Sequence, residues 1–277
     1  MARLATIVGL GAMAVAAVLS GARAAERVDI ELVLAVDVSL SMSPGELEIQ
    51  RRGYAAALTH DTVLQAIADG AFGKIAVTYV EWAGTTMQRV VVPWTAIATR
   101  ADAERVVAQM SAQPPNSARR TSISAALEFA GDLFAESEFE GVKRVIDVSG
   151  DGPNNQGGPV DGVRDQLVAQ GITINGLPLM TTGGYASVFD VPHLDRYYAD
   201  CVIGGPGAFV VPVNDWPQFP EAVRRKLVME LAGSGSPQRA AEEAAGPPVV
   251  LAAGEPPTDC LVGEKMWRNR TWMYENR

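Results

Sequence analysis

The stretch VDIELVLAVDVSLS, residues 28–41, decides the fold of this chain. Residues 28–36 are almost continuously apolar, which is typical of a central β-strand that is covered on both faces. The apolar run stops abruptly at Asp37. The sequence therefore predicts that Asp37 lies at the C-terminal end of a buried strand.

The rest of the chain alternates strands with amphipathic helices. We predict further strands over residues 74–83, 88–93, 143–149, 172–177 and 208–213. Helices are predicted over residues 44–68, 101–111, 122–136, 160–170 and 216–231. This alternation indicates a doubly wound α/β fold with a mostly parallel central sheet and helices on both faces. The early hairpin, 74–83 with 88–93, adds one antiparallel edge strand.

The beginning of the chain predicts export. Residues 1–24 combine Arg3, an uncharged apolar run from Leu4 to Leu19, and small residues at Ala22 and Ala24. This pattern indicates a signal peptide that is cleaved near Ala24, and hence a periplasmic or secreted protein. The apolar run falls short of the ~20 residues that span a bilayer. An uncleaved membrane anchor is the alternative.

The chain of 277 residues is 48% hydrophobic, enough for one large α/β core with appendages. Its charge excludes some classes of binding partner. Removal of residues 1–24 leaves 21 Lys and Arg against 32 Asp and Glu, a net charge of -11. Such an acidic body argues against nucleic acid and against strong binding to anionic membranes, and it suits the binding of cations.

The composition divides the chain into a body, a linker and a tail. A body over residues 26–233 is followed by a flexible linker, 234–257, that is rich in Gly, Ser, Pro and Ala. The C-terminal tail, 258–277, regains aromatic and apolar residues and is expected to pack on the body, with a partner-binding segment as the alternative. Cys201 and Cys260 either form a disulfide that tethers the tail or remain free thiols.

Three predicted loops carry oxygen ligands at strand ends or helix starts. They contribute Asp37, Ser39 and Ser41 from the first loop, Thr121 from the second and Asp151 from the third. Ligands of doubly wound sheets bind outside the carboxyl ends of the strands, so we expect the three loops to converge there.

The spacing within the first loop favours a shared ligand. Alternate residues of an extended segment point the same way, which directs the DxSxS side chains to one point and turns Val38 and Leu40 to the core. Carboxylate and hydroxyl oxygens suit Mg²⁺, Mn²⁺ or Ca²⁺ rather than zinc. Such a site leaves a coordination position open for a carboxylate of a protein partner. The alternative is a hydrogen-bonded turn network without a metal.

These motifs resemble a known family. Asp37-Val38-Ser39-Leu40-Ser41, the segment RRTSISAAL around Thr121 and the segment VIDVSGDGPNN around Asp151 resemble the metal-ion-dependent adhesion site (MIDAS) of von Willebrand factor A domains. The DVSLSM opening and YYADCVIGGPGAFVVPV, residues 197–213, look like an exported bacterial branch of that superfamily, the domain-of-unknown-function family numbered 1194.

The resemblance implies a role for each of the five residues. Ser39, Ser41 and Thr121 would supply hydroxyl ligands, and Asp37 and Asp151 would bind the metal directly or through water. At two positions next to these five residues, the sequence differs from the pattern that is common in the superfamily. Arg120 occupies a position where Gly is common in the superfamily, and Gly150 one where Ser or Thr is common.

We therefore expect a metal-dependent, adhesion-type protein-binding module and not an enzyme. The sequence contains no G-x-S-x-G, G-x-x-x-x-G-K-[ST] or H-E-x-x-H motif, and His60 and His193 stand apart as surface or capping residues. Two alternatives stay open: a metal-dependent hydrolase or phosphatase-like enzyme, and a structural module with a closed metal site. A phosphatase of the haloacid dehalogenase type would need a second Asp where this chain has Ser39.

Overall fold

The computed structural model of the protein describes residues 25–114, 116–181, 191–232 and 258–275, with side chains as far as residue 269. The predicted signal peptide, 1–24, and the predicted linker, 234–257, lie outside these described residues. Within the described ranges, no helix is both long enough and apolar enough to span a bilayer.

Five strands form one mixed sheet. They are β1 Glu26–Asp37, β2 Ile75–Trp82, β3 Gln88–Ile97, β4 Phe139–Gly150 and β5 Ile172–Pro178. Their spatial order is β3-β2-β1-β4-β5. Only β3 pairs antiparallel among these strands, at one edge of the sheet. The predicted doubly wound α/β sheet with one antiparallel edge strand is confirmed.

Helices cover both faces of the sheet. They are α1 Pro44–Leu58, α2 Asp61–Ala68, α3 Arg100–Ser111, α4 Ile123–Leu133, α5 Val160–Ala169, α6 Leu194–Tyr197, α7 Phe219–Ala232 and α8 Val262–Glu275. A π-helical turn, Tyr198–Val202, continues α6, and a 3₁₀ turn, Trp216–Gln218, leads into α7. Helices α1, α2, α3 and α7 contribute to the core on one face, whereas α4, α5 and α6 contribute to the core on the other.

The central strand shows why the apolar run of the sequence extends over both of its faces from Leu32 to Val36. Ile30, Leu32 and Leu34 of β1 belong to the core beneath α1 and α7. Val33 and Ala35, which alternate with them, belong to the core beneath α4 and α5. Because both faces are covered, β1 is apolar at every position from Leu32 to Val36. The C-terminal end of β1, at Asp37, therefore lies between the two helix layers and is buried.

The predicted helix over residues 44–68 is wrong as a single helix. The backbone of His60 is extended, with φ -73° and ψ 140°, and it separates α1 from α2. The His60 ring nitrogen Nδ1 accepts a hydrogen bond from the amide of Thr62 at 3.2 Å. This side chain therefore caps the start of α2, which agrees with the capping role expected for His60.

The predicted strand over residues 208–213 is also wrong. The segment runs along the free edge of β5 but forms only single bridges, from Val210 to Gly176 and from Val213 to Leu179. Pro212 has no amide hydrogen to donate, and Gly207 before the segment has a φ of +71°. A continuous ladder therefore does not form, although the segment still covers part of the edge of β5.

The C-terminal tail is joined to the body. Cys201, in the π-helical turn, forms a disulfide with Cys260, which settles the alternative that the sequence left open in favour of pairing. The hydroxyl of Thr258 also donates a hydrogen bond of 2.6 Å to the carboxylate of Asp200. Two neighbouring attachments thus hold the segment before α8 against the body.

We expect Cys260→Ser to lower the free energy of unfolding by about 2–4 kcal/mol, because a link between residues 59 apart in sequence restricts the unfolded chain. Urea unfolding followed by circular dichroism measures the difference. The wild-type protein in a reducing buffer serves as the control and should fall to the stability of the variant. Equal stability of oxidised wild type and variant would contradict this expectation.

Candidate metal centre

The DxSxS loop begins where β1 ends and is fixed by its neighbours. The amide of Val38 donates to the carbonyl of Trp82 at 2.8 Å, and the side chain of Gln50 donates to the carbonyl of Asp37 at 2.9 Å. The amide of Ser39 then turns back to donate to Oδ1 of Asp37 at 2.7 Å. Asp37 and Ser39 are both buried, so the loop presents them inside the molecule rather than to bulk water.

One detail of this loop differs from the prediction. Val38 is buried, as expected, but Leu40 is 56% exposed and does not face the core. The chain enters a turn after Ser39, so the alternation of an extended segment ends one residue too early to bury Leu40.

Three hydroxyl and carboxylate groups from two loops form a hydrogen-bonded cluster. The hydroxyl oxygens of Ser39 and Ser41 lie 2.8 Å apart. The hydroxyl of Ser41 donates to Oδ1 of Asp151 at 2.9 Å. Asp151 directly follows β4, which lies beside β1 in the sheet. The structure therefore brings the first and third predicted loops together at the carboxyl ends of adjacent parallel strands.

Thr121 is held next to the loop of Asp151 by its backbone. Its amide donates to the side-chain oxygen of Asn155 at 3.0 Å, and the amide of Asn155 donates to the carbonyl of Thr121 at 2.9 Å. Thr121 is buried and precedes Ser122, the residue that caps α4. The second predicted loop thus lies against the third, as the sequence predicts.

One carboxylate oxygen of Asp37, Oδ2, is buried and accepts no hydrogen bond from any residue in the described ranges, although the other accepts from the amide of Ser39. Burial raises the pKa of Asp37 well above its usual value, and the negative charge of Asp151 raises it further, while hydrogen bonds from Ser39 and from the backbone of Asp151 only partly oppose both effects. A cation between the two carboxylates would remove this cost.

The donor set fits a hard divalent cation. The described residues contain no group of three or more His, Cys, Asp or Glu side chains arranged for a metal ion. Here two carboxylates are joined by hydroxyls instead, and oxygen-only donors are those that Mg²⁺, Mn²⁺ and Ca²⁺ prefer. Few anionic donors would leave a bound ion able to accept a further anionic ligand.

Gly150 is required by a tyrosine that the sequence motifs did not reveal. A Cβ atom at position 150 would lie 2.8 Å from the hydroxyl oxygen of Tyr198 and 3.0 Å from Oδ2 of Asp37. A Ser or Thr, common here in the superfamily, would collide with the hydroxyl of Tyr198 and make a tight contact with the carboxylate of Asp37. Tyr198 is fully buried, and burial followed by the charges of Asp37 and Asp151 raises the pKa of its phenol well above the usual value. The motif YYADCV marked this segment but not the role of its second tyrosine.

Arg120, the second departure, also has a structural account. Its φ of 79° lies in the left-handed region that favours glycine, which explains why Gly is common at this position. Its guanidinium lies 3.3 Å from the centre of the Trp267 ring in α8. The residue beside Thr121 therefore contacts the C-terminal tail.

Solved structures with a similar fold include two of proximal thread matrix protein 1 from the mussel byssus. The first has a TM-score of 0.56 and 15% identity, and covers 75% of this chain and 49% of that protein. The second, described as having a zinc-occupied MIDAS motif, has a TM-score of 0.51 and 16% identity, with 75% and 48% covered. This chain thus spans about half the length of the mussel protein.

A bacterial adhesin has a similar fold as well. The pilus adhesin SpaC from Lactobacillus rhamnosus GG has a TM-score of 0.54 and 10% identity, and covers 75% of this chain and 31% of the adhesin. At these identities the likeness shows the fold alone, which is the von Willebrand factor A-like α/β fold that the sequence predicts.

Sequence comparison identifies the family. No curated protein matches the chain. The profile of the family described as "Protein of unknown function (DUF1194)" matches residues 27–235, a span that includes all five predicted site residues. Because this match covers most of the chain, the protein belongs to the DUF1194 family.

Proposed function

We propose that the protein is an exported, metal-dependent protein-binding module. Its cation, Mg²⁺ or else Mn²⁺ or Ca²⁺, is held by Asp37, Ser39, Ser41, Thr121 and Asp151, and it grips a carboxylate of a protein partner. The observation that carries this proposal is Oδ2 of Asp37, a buried carboxylate oxygen without a hydrogen bond from the described residues, beside the linked Ser39, Ser41 and Asp151.

The composition of the site favours recognition over catalysis. Three of its five donors are neutral hydroxyls, so two carboxylates balance the charge of a divalent ion without excess. Such an ion retains affinity for one more anionic ligand, and a carboxylate of a partner supplies it. Arg119, close to the site in sequence, adds positive charge for an acidic partner.

Two further observations support parts of this proposal. The Cys201–Cys260 disulfide agrees with an oxidising compartment outside the cytoplasm, as the predicted signal peptide requires. Among proteins of similar fold, one has a zinc-occupied MIDAS motif and another is a pilus adhesin. Zinc therefore belongs among the ions to be compared, although the oxygen donors of this chain suit harder cations.

The coordination of bound Mn²⁺ tests the proposal against a closed structural site. We expect enhanced relaxation of water protons by the protein–Mn²⁺ complex, because an adhesion-type site keeps exchangeable water on the ion. Added acetate should reduce this enhancement by replacing water, whereas equal chloride should not. Bound Mn²⁺ without exchangeable water would establish a closed site instead. Metal-dependent hydrolysis of p-nitrophenyl phosphate by the same sample, lost in Asp37→Ala, would favour the enzyme alternative.

A further inference from the structure

The C-terminal helix α8 is packed directly on the loop that carries Asp151. At Gly263 a Cβ atom would lie 2.1 Å from the carbonyl oxygen of Asn154, so only glycine allows this approach. The next residue, Glu264, accepts a hydrogen bond of 2.6 Å from the side-chain nitrogen of Asn154. Helix α8 therefore meets the β4–α5 loop three residues after Asp151.

Asn154 connects α8 to the other parts of the candidate site. Its side-chain oxygen accepts from the amide of Ser124, in the first turn of α4, at 3.1 Å. Its side-chain nitrogen donates to the carbonyl of Gly158 at 3.0 Å as well as to Glu264. The neighbouring Asn155 makes the two backbone contacts to Thr121 described above. Fixing Asn154 thus fixes the loop of Asp151 relative to the loop of Thr121.

Packing alone does not account for Glu264. Its Oε2 is buried and accepts no hydrogen bond from the residues that the structure describes. A buried carboxylate with one amide partner stabilises the docking of a helix less than an apolar side chain would. What the carboxylate adds is a directional acceptor for Asn154.

Two further contacts hold α8 in register. The disulfide to Cys201 fixes Cys260, four residues before Glu264, and the Trp267 ring receives the guanidinium of Arg120 one turn after it. These contacts, one before and one after Glu264 in the chain, keep its carboxylate within hydrogen-bonding distance of Asn154.

We propose that Glu264 is a positioning residue of the metal centre, supplied by the tethered C-terminal helix. It orients Asn154, and through the Asn154–Asn155 pair it sets the distance between the loops that carry Thr121 and Asp151. This inference rests on the proposed function, since it names a control over the same site. The C-terminal tail then contributes to the geometry of the metal site, in addition to packing on the body.

The test compares Glu264→Ala with two matched variants. Glu264→Gln keeps the acceptor oxygen for Asn154. Lys265→Ala alters the next residue of α8, whose ammonium is half exposed and pairs with Asp259 within the tail. The first readout is hydrogen exchange of the Thr121 and Ser124 amides without metal. We expect exchange about tenfold faster in Glu264→Ala, the change expected for a lost hydrogen bond, and wild-type rates in the other two.

The second readout is calorimetric titration with Mn²⁺ alone. Glu264→Ala should bind about tenfold more weakly, the usual effect of losing an outer-shell partner, while Glu264→Gln and Lys265→Ala stay within twofold of wild type. Unchanged exchange, or faster exchange with unchanged Mn²⁺ affinity, would overturn the inference. So would Glu264→Gln behaving like Glu264→Ala. A wild type without Mn²⁺ affinity would instead overturn the proposed function, and the role of Glu264 with it, even where the exchange result is as expected.

Discussion

Asp37→Ala should bind Mg²⁺ or Mn²⁺ at least about 100-fold more weakly than the wild-type protein, because even outer-shell partners of metal ligands contribute 10–100-fold. Asp37 is the buried carboxylate of the site and the one whose Oδ2 has no other partner among the described residues. Calorimetric titration of the purified mature protein measures the effect. Asp132→Ala, which removes an exposed carboxylate of α4, is the matched control and should bind as wild type does.

Asp37→Asn separates loss of metal from loss of structure. Burial and the charge of Asp151 raise the pKa of Asp37, so the folded protein without metal is penalised increasingly as the pH rises above the unfolded value of ~4. The neutral amide removes this penalty. We expect metal-free Asp37→Asn to be about 1–2 kcal/mol more stable than wild type at pH 7, with the difference shrinking towards pH 4.

Saturating Mn²⁺ should then make the wild-type protein more stable than Asp37→Asn, because only the wild-type protein gains stability from the bound ion. Equal metal affinity of wild type, Asp37→Ala and Asp151→Ala would show that the five residues are an ordinary turn network.

The second large effect is expected far from the metal ligands, at Lys226 in α7. Its ammonium is completely buried, 2.7 Å from Oδ1 of Asp147 and 2.6 Å from Oε1 of Glu230. Lys226→Met leaves two buried carboxylates without a cation. We expect it to lower the free energy of unfolding by about 3–5 kcal/mol at a pH above 7, where Asp147 is mainly ionised in the wild type, because removing one partner strands the buried charges. Urea unfolding measures the loss.

The pH dependence of Lys226→Met identifies the cause of its instability. In the wild type, burial raises the pKa of Asp147 to about 7, with Lys226 opposing the rise and Glu230 adding to it. Without the lysine the folded-state pKa of Asp147 rises further above about 7, so the part of the loss that comes from this carboxylate grows as the pH rises through 7. It is small well below pH 7, where Asp147 is protonated in the folded state of both proteins. A triple variant that also carries Asp147→Asn and Glu230→Gln should recover most of the stability. A loss independent of pH would contradict this account and indicate a packing defect.

Much of the fold could be predicted from the apolar pattern of the sequence. The run from Leu32 to Val36 has no polar face because helices cover both sides of β1, and the run ends at Asp37 because the strand ends there. The errors have local causes. His60 is a weak cap by residue type, so the break it makes between α1 and α2 is not visible in the helical periodicity. Pro212 interrupts a segment that otherwise has strand composition.

The candidate site could be predicted only where its residues belong to local motifs. Asp37, Ser39 and Ser41 share one loop, and the topology of a parallel sheet brings Asp151 beside them. Tyr198 and Asn154 have no such signal, since their proximity to the site depends on how a π-helical turn and the C-terminal helix pack. Lys226 is similar, because a lysine in an amphipathic helix is normally exposed to solvent.

Binding of a divalent cation by the three loops is the central claim, and anomalous diffraction from crystals of the mature protein soaked in Mn²⁺ tests it most directly. We predict one anomalous peak between Asp37 and Asp151, about 2.0–2.6 Å from the hydroxyl oxygens of Ser39 and Ser41. The same peak should be absent from crystals of Asp37→Ala. A well-ordered set of these side chains without a peak, or a peak bound only elsewhere on the protein, would contradict the claim.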